Sequence, residues 1–221
     1  MALVVVLGLG IRAQADMVDH MLPYGPTAVP FPSGPVGTLP LFDPGLGTLT
    51  KVTLVLDADT DSGTMAWDNE DAVLTDITLG IGAEVTASAL ASLTSVAVPL
   101  QTDSAVDIDA DNDAAADFIG TDSFSVAGGS GSDSDMDMST APATLALFTG
   151  PGTFPVMLGA DLSTFLSLTG GFGPTDPVPG VTDGMVTVIY EFDPIPEPSV
   201  LAIISVLVGV AAAKRTRRSK C

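Results

Sequence analysis

Between residues 51 and 59 the chain alternates: Val52, Leu54, Leu56 and Ala58 fall on one side, Lys51, Thr53, Val55, Asp57 and Asp59 on the other. A period of two marks a strand with one face buried. Residues 60–63 are turn formers and residues 64–67 resume an extended pattern, so 51–69 reads as a hairpin. Further strand-like runs occupy 73–81, 85–89, 95–100, 123–126, 153–158, 165–168 and 185–192. The last, Met185 to Phe192, is the richest in β-branched and aromatic residues. Residues 86–94 also fit a short helix, although Thr86 and Ser88 alternating with alanines fit a strand as well. Residues 127–140, built of Gly, Ser, Asp and Met, read as a flexible loop. Short strands with turn signals at intervals of roughly ten residues predict an all-β body, an antiparallel β-sandwich.

Both ends of the chain depart from this pattern. Residues 199–213 are an apolar run, followed by Lys214, Arg215, Arg217, Arg218 and Lys220. Basic excess of this kind flanks membrane segments on the cytoplasmic side, which predicts a single C-terminal transmembrane helix with its end inside. Fifteen helical residues rise about 22 Å, short of the ~30 Å hydrocarbon core. Such a helix suits a transient intermediate better than a permanent anchor. Pro194, Pro196 and Pro198 keep the chain before it extended. At the other end, residues 2–11 are apolar and Ala13-Gln14-Ala15 has the A-x-A form of a cleavage site, which predicts a signal peptide. Met1 abuts the apolar run without a basic segment, so the true start is expected upstream. A buried N-terminal strand is the competing reading. The expected organisation is a signal peptide over 1–15, a linker over 16–36, the sandwich over 37–193 and a tail over 194–221.

Two resemblances follow from these residues. Pro196-Glu197-Pro198, the apolar run and the basic cluster, in that order, resemble the PEP-CTERM sorting tail of Gram-negative bacteria; a plain tail anchor is the bland alternative. The resemblance implies export, a transient stay in the inner membrane, and processing by an exosortase on the way to the surface or outside. It also implies an association with exopolysaccharide and biofilm. Within the body, Leu39-Pro40-Leu41-Phe42-Asp43-Pro44-Gly45-Leu46-Gly47-Thr48-Leu49-Thr50-Lys51-Val52-Thr53-Leu54 resembles the opening motif of choice-of-anchor E domains, a resemblance that covers roughly residues 37–193. Leu145 to Gly150 and the strand 185–192 are looser matches to later parts of that family. That family carries no catalytic residues to transfer, and aspartates stand here where relatives show Ser, Thr and Gly. Phe42 and the Gly45-x-Gly47 turn read as a corner that enters the first long strand. Some schemes group such tails with ice-binding proteins, but the body has no regular Thr-x-Thr ladder.

Charge narrows the function. Of 27 acidic residues, 26 lie between 16 and 193, where Lys51 is the one Lys or Arg. Such a body repels phosphate backbones, which excludes nucleic acid as a partner by the usual electrostatic route. It repels anionic lipid as well, and its self-repulsion would be relieved by salt or bound cations. Cys221, the one cysteine, lies in the tail, so the body holds no disulfide.

Three aspartate clusters are the candidate chemistry. Asp57, Asp59, Asp61 and Asp68 stand at positions 1, 3, 5 and 12 of a calcium-loop spacing. Ser62 replaces the loop glycine, and residues two apart on a strand merely share a face, so a solvated edge is favoured. Asp107, Asp109, Asp111 and Asp113, with Asp117, form a denser set after a strand and are a better calcium candidate. Asp133, Asp135 and Asp137 read as a solvated loop. His20, the one histidine, reads as linker, and Trp67 as a core residue rather than a sugar platform. No Gly-x-Ser-x-Gly, phosphate loop or zinc spacing is present. An aspartate pair acting as glycosidase acid and base stays open, yet 5% aromatic content is poor for a carbohydrate groove. The expectation is an exported, non-enzymatic surface or matrix protein without a cofactor, calcium apart; the alternative is a calcium- or glycan-binding surface module.

Overall fold

Among the described residues every strand pairing is antiparallel, in three sheets. This computed structural model describes residues 15–61, 63–112 and 116–195. The strands are β1 (Asp16–Ala28), β2 (Phe31–Pro40), β3 (Gly47–Asp61), β4 (Thr64–Asp68), β5 (Thr75–Ala89), β6 (Leu93–Ala97), β7 (Leu100–Ile108), β8 (Ser123–Ala127), β9 (Ser130–Ser139), β10 (Thr153–Leu168), β11 (Thr175–Val178) and β12 (Val181–Pro194); α1 (Pro142–Leu147) is a short helix. The first sheet has the order β1-β12-β3-β9. The second runs β2-β10-β5-β6, with β7 also paired to β5, and a small sheet runs β11-β4-β8.

The length of β5 and β10 organises the packing. The second half of β5, with Ala83, Val85, Ala87 and Ala89, joins Val156 and Leu158 of β10 in one core cluster. Val52, Leu54 and Leu56 of β3 and Val186, Val188 and Tyr190 of β12 complete that cluster from the first sheet. The first half of β5, with Ile77, Leu79 and Ile81, packs in a second cluster with Met65, Trp67 and Val126 of the small sheet. Burying each large side chain contributes roughly 1.5–3 kcal/mol. The body is thus a sandwich-like all-β fold in which one long layer carries two shorter ones.

The corner expected at Phe42 is present. Gly45 N–H donates to Asp43 Oδ1 at 2.8 Å and Leu46 N–H to the Asp43 carbonyl at 3.0 Å, which closes the turn. Phe42 is buried and meets Tyr190 edge-on at 5.7 Å between ring centres. The alternation in 51–59 is also as expected, with Val52, Leu54, Leu56 and Ala58 all buried.

Several expectations are corrected. Residues 16–36 are not a linker: β1 pairs with β12 from Asp16 to Ala28, and β2 pairs with β10. Val18, Leu22 and Tyr24 supply an inward face to β1, and the prolines are tolerated because β1 and β2 are edge strands. His20 lies on β1 with its ring 6.1 Å from that of Tyr190. Residues 51–69 are not a hairpin, because β3 belongs to the first sheet and β4 to the small one. Both flanks of β3 are already occupied by β12 and β9, so the chain must leave that sheet after Asp61. The runs 73–81 and 85–89 are one strand, β5, which also disposes of the helix considered for 86–94. Residues 165–168 are the end of β10. Residues 130–139 are a strand rather than a loop, since β9 completes the edge of the first sheet against β3.

The expected membrane helix over 199–213 lies outside the described residues. Among those described, no helix is long and apolar enough to cross a membrane.

Candidate functional site

Because Leu56 and Ala58 point into the core, Asp57, Asp59 and Asp61 point away from it, along the exposed face of β3. Asp59 stands directly across from Asp183 of β12. The same outward face of the first sheet exposes Met17, Met21, Met136 and Met138. Asp68 is elsewhere: it ends β4 in the small sheet and is buried. The spacing 57, 59, 61 and 68 is therefore not gathered into one site. Splitting β3 from β4 between two sheets is the reason.

The second set is only partly a loop. Asp107 lies within β7, with φ +54° and its N–H donating to Asp76 Oδ1 at 3.1 Å. Asp109 and Asp111 follow in the connection, where Asp109 N–H meets the Thr121 carbonyl and Asp111 N–H the Asp71 carbonyl. Asp113 lies outside the described residues. Asp117 Oδ1 accepts the Ile119 N–H at 2.8 Å, a local turn contact. Among the described residues no three acidic, His or Cys side chains converge as a metal-holding group.

Two carboxylates on the inner side of this loop are different. Asp68 Oδ2 accepts the Asp117 and Phe118 N–H groups at 2.9 and 3.0 Å. Asp122, just before β8, is buried and takes the Asn112 N–H on Oδ2 at 3.2 Å. Asn69, also buried, ties the same region by donating from Nδ2 to the Val73 and Asp109 carbonyls. Sequence reasoning missed Asp122, because a lone aspartate before a short strand carries no periodic or spacing signal.

The third set has the most defined geometry. Asp133, Asp135 and Asp137 stand in register with buried Ala58, Leu56 and Leu54, so they project toward the inside at the open side of the sandwich. There they meet β6, the edge of the opposite layer. Asp137 Oδ2 accepts the Thr94 N–H at 3.0 Å, Asp135 Oδ2 the Val96 N–H at 2.8 Å, and Asp133 Oδ2 the Val98 N–H at 2.7 Å. Ser95 Oγ adds a bond to Asp135 Oδ2 at 3.1 Å. The Val96 N–H chiefly holds the Asp135 carboxyl below its usual value, against a smaller desolvation effect, with Ser95 and Met136 assisting. These aspartates are a clasp between the two layers rather than a solvated loop.

The remaining sequence candidates are placed as follows. Trp67 is fully buried in the second core cluster, as a core residue would be. Burial pushes the Tyr24 phenol up to about 12, and Tyr190 is raised further by the same cause. An open cleft between the ends of β1 and β2 is lined by Pro23, Tyr24, Phe31, Pro32 and Leu158, with no acidic side chain among its walls. Ala15, of the expected signal cleavage site, is the first described residue. Ala13 lies outside the described residues, as do Pro196, Glu197, Pro198, Lys214, Arg215, Arg217, Arg218 and Lys220. No family model matches the chain, and no curated protein matches it either.

Proposed function

We propose that this chain is an exported, non-enzymatic surface or extracellular-matrix protein, sorted through its C-terminal tail. In this reading an exosortase acts on Pro196-Glu197-Pro198 while residues 199–213 rest briefly in the inner membrane. The basic residues from Lys214 to Lys220 hold the end of the chain inside. The observation that carries the reading is the fixed order of tripeptide, short apolar run and five bases. The position of the tail supports it: β12 runs to Pro194, so the tripeptide follows the last strand almost at once. The acidic body supports a soluble, exposed life, since like charge keeps proteins apart. The non-enzymatic part rests on a sequence with one histidine and no nucleophile or phosphate motif. A place in an exopolysaccharide matrix is the role that the tail's resemblance favours.

Replacement of Glu197 by Ala tests the reading directly. The unprocessed chain should collect in the inner membrane, with its tail intact by mass spectrometry. Normal maturation of that variant would overturn the sorting proposal.

A further inference from the structure

β10 has a strand on both flanks for only half of its length. On one side β5 follows it from Val156 to Leu168. On the other, β2 pairs with it from Thr153 to Ala160 and goes no further, because the chain before Phe31 belongs to the first sheet as β1. Among the described residues no strand lies on that flank beside the remaining stretch, Leu162 to Leu168. The exposure agrees: residues 164–167 are all exposed, Phe165 at 45% and Leu166 at 40%.

An open strand edge offers unpaired main-chain N–H and C=O groups, and proteins blunt such edges with prolines, charges or brevity. The other edges here follow that rule. β1 carries Asp16, Asp19, Pro23 and Pro26, β2 carries Pro32, Pro35 and Pro40, and β7 carries Asp103 and Asp107. β9 carries Asp133, Asp135 and Asp137, two of which also occupy the Thr94 and Val96 amides of β6. β8 and β11 are only 5 and 4 residues long. Leu162-Ser163-Thr164-Phe165-Leu166-Ser167-Leu168, by contrast, contains no charge, no proline and no glycine. Nothing guards it.

We propose that a second copy of the chain adds at this edge, antiparallel and about a two-fold axis, so that the second sheets of two molecules continue as one. Charge selects the partner. The body sets 26 acidic residues against Lys51, so two copies repel wherever their general surfaces meet. Residues 162–168 bring no carboxylate to the contact. With the axis anywhere from Ser163 to Leu166, Asp161 falls opposite an uncharged residue of the other copy. A basic partner would find nothing along this edge to pair with. This goes beyond the sorting reading and does not depend on it.

The full chain, in detergent solution, is followed by light scattering over a range of protein and salt concentrations, with amide hydrogen exchange read in parallel. It should pass reversibly from one copy to two as its concentration rises, and more readily as salt screens the two bodies. Exchange at residues 162–168 should slow in the two-copy form. Thr164→Asp sets carboxylates into the contact and should weaken association by roughly tenfold or more. Thr153→Asp, at the end of β10 that β2 already covers, should leave association unchanged. If Thr164→Asp does not fold, the exchange pattern of the unaltered protein decides alone. A chain that stays single at every concentration, association that Thr164→Asp does not weaken, or 162–168 amides that exchange alike in both forms would each overturn the proposal. Protection of that edge only when a different protein is added would overturn it too, in favour of a foreign strand.

Discussion

Asp135 on β9 accepts the main-chain N–H of Val96 on β6 at 2.8 Å, across the gap between the first and second sheets. Edge strands present unpaired N–H groups that invite pairing with other chains, and inward-pointing charges are one way to blunt them. Here the carboxylates go further, because three of them occupy alternate donors in turn, Thr94 and Val96 on β6 and Val98 just past its end.

Removing the clasp should loosen one side of the sandwich and free an edge. Asp135→Ala is expected to cost about 1 kcal/mol, a hydrogen bond to a charged group discounted for exposure. Combined replacement of Asp133, Asp135 and Asp137 by Ala should also promote self-association through β6. Denaturant unfolding and light scattering at graded protein concentration measure the two effects. A triple variant that stays as stable and as monodisperse as the parent would remove the clasp's role.

Acid should act through the same group. The folded-state value of Asp135 is depressed, so its contribution is fully present above the unfolded value near ~3.9. It is lost as pH falls from there through the lower, folded value. Stability measured from about pH 5 downward should therefore fall less steeply in Asp135→Asn than in the parent.

Alkali should unfold the protein through its two tyrosines. Tyr190 donates its buried hydroxyl to the Pro40 carbonyl at 2.8 Å, and burial raises both Tyr190 and Tyr24. A raised folded value means stability is intact below the unfolded value of ~10 and is lost as pH rises through the folded value. With two tyrosines in the chain, phenolate absorbance should stay silent in the native state near pH ~10.5 and appear together with unfolding. Tyr190→Phe leaves the Pro40 carbonyl without its donor and should cost about 1–2 kcal/mol. Phenolate absorbance at pH ~10 in a protein that remains folded would contradict this account.

Gly47 has no room for a side chain. An added Cβ would lie 2.1 Å from the Asp193 carbonyl oxygen, which belongs to a main chain held in the β3–β12 ladder. Gly47→Ala should therefore destabilise by about 1–3 kcal/mol, as overpacking does. Gly34→Ala, where the nearest atom would be 3.9 Å away, is the control. Matching denaturation midpoints for the two variants would show that the corner yields.

Strands were legible in the sequence where one face is apolar and the other polar. Val52 to Ala58 and Val186 to Phe192 announce themselves by period and propensity, and Phe42 with Gly45 and Gly47 marks a real corner. Strands were hidden where polar or proline residues fill the alternation. In β9 the inward positions are Asp133, Asp135 and Asp137, whose partners are amides of another layer rather than apolar side chains. In β1 and β2 the prolines mimic a linker, although edge position makes them harmless. Which sheet a strand joins was not legible at all: β3 and β4 are neighbours in sequence but part company after Asp61. For the same reason spacing grouped Asp68 with Asp57, whereas the fold sets it opposite Ser123 at the end of the small sheet. Aspartate counts find acidic surface; only pairing tells which carboxylates end up inside.

The place of β12 within its sheet has a mechanical consequence. It is an interior strand, bonded along its length to β1 on one flank and β3 on the other, and the chain leaves it at Ile195. A pull exerted on that exit runs along the strand, at right angles to the ladder bonds. Both ladders are then loaded in shear, and many bonds must give together instead of parting one by one as a zipper would. A body tethered by this end would meet drag at its point of attachment with an interior strand held on both flanks.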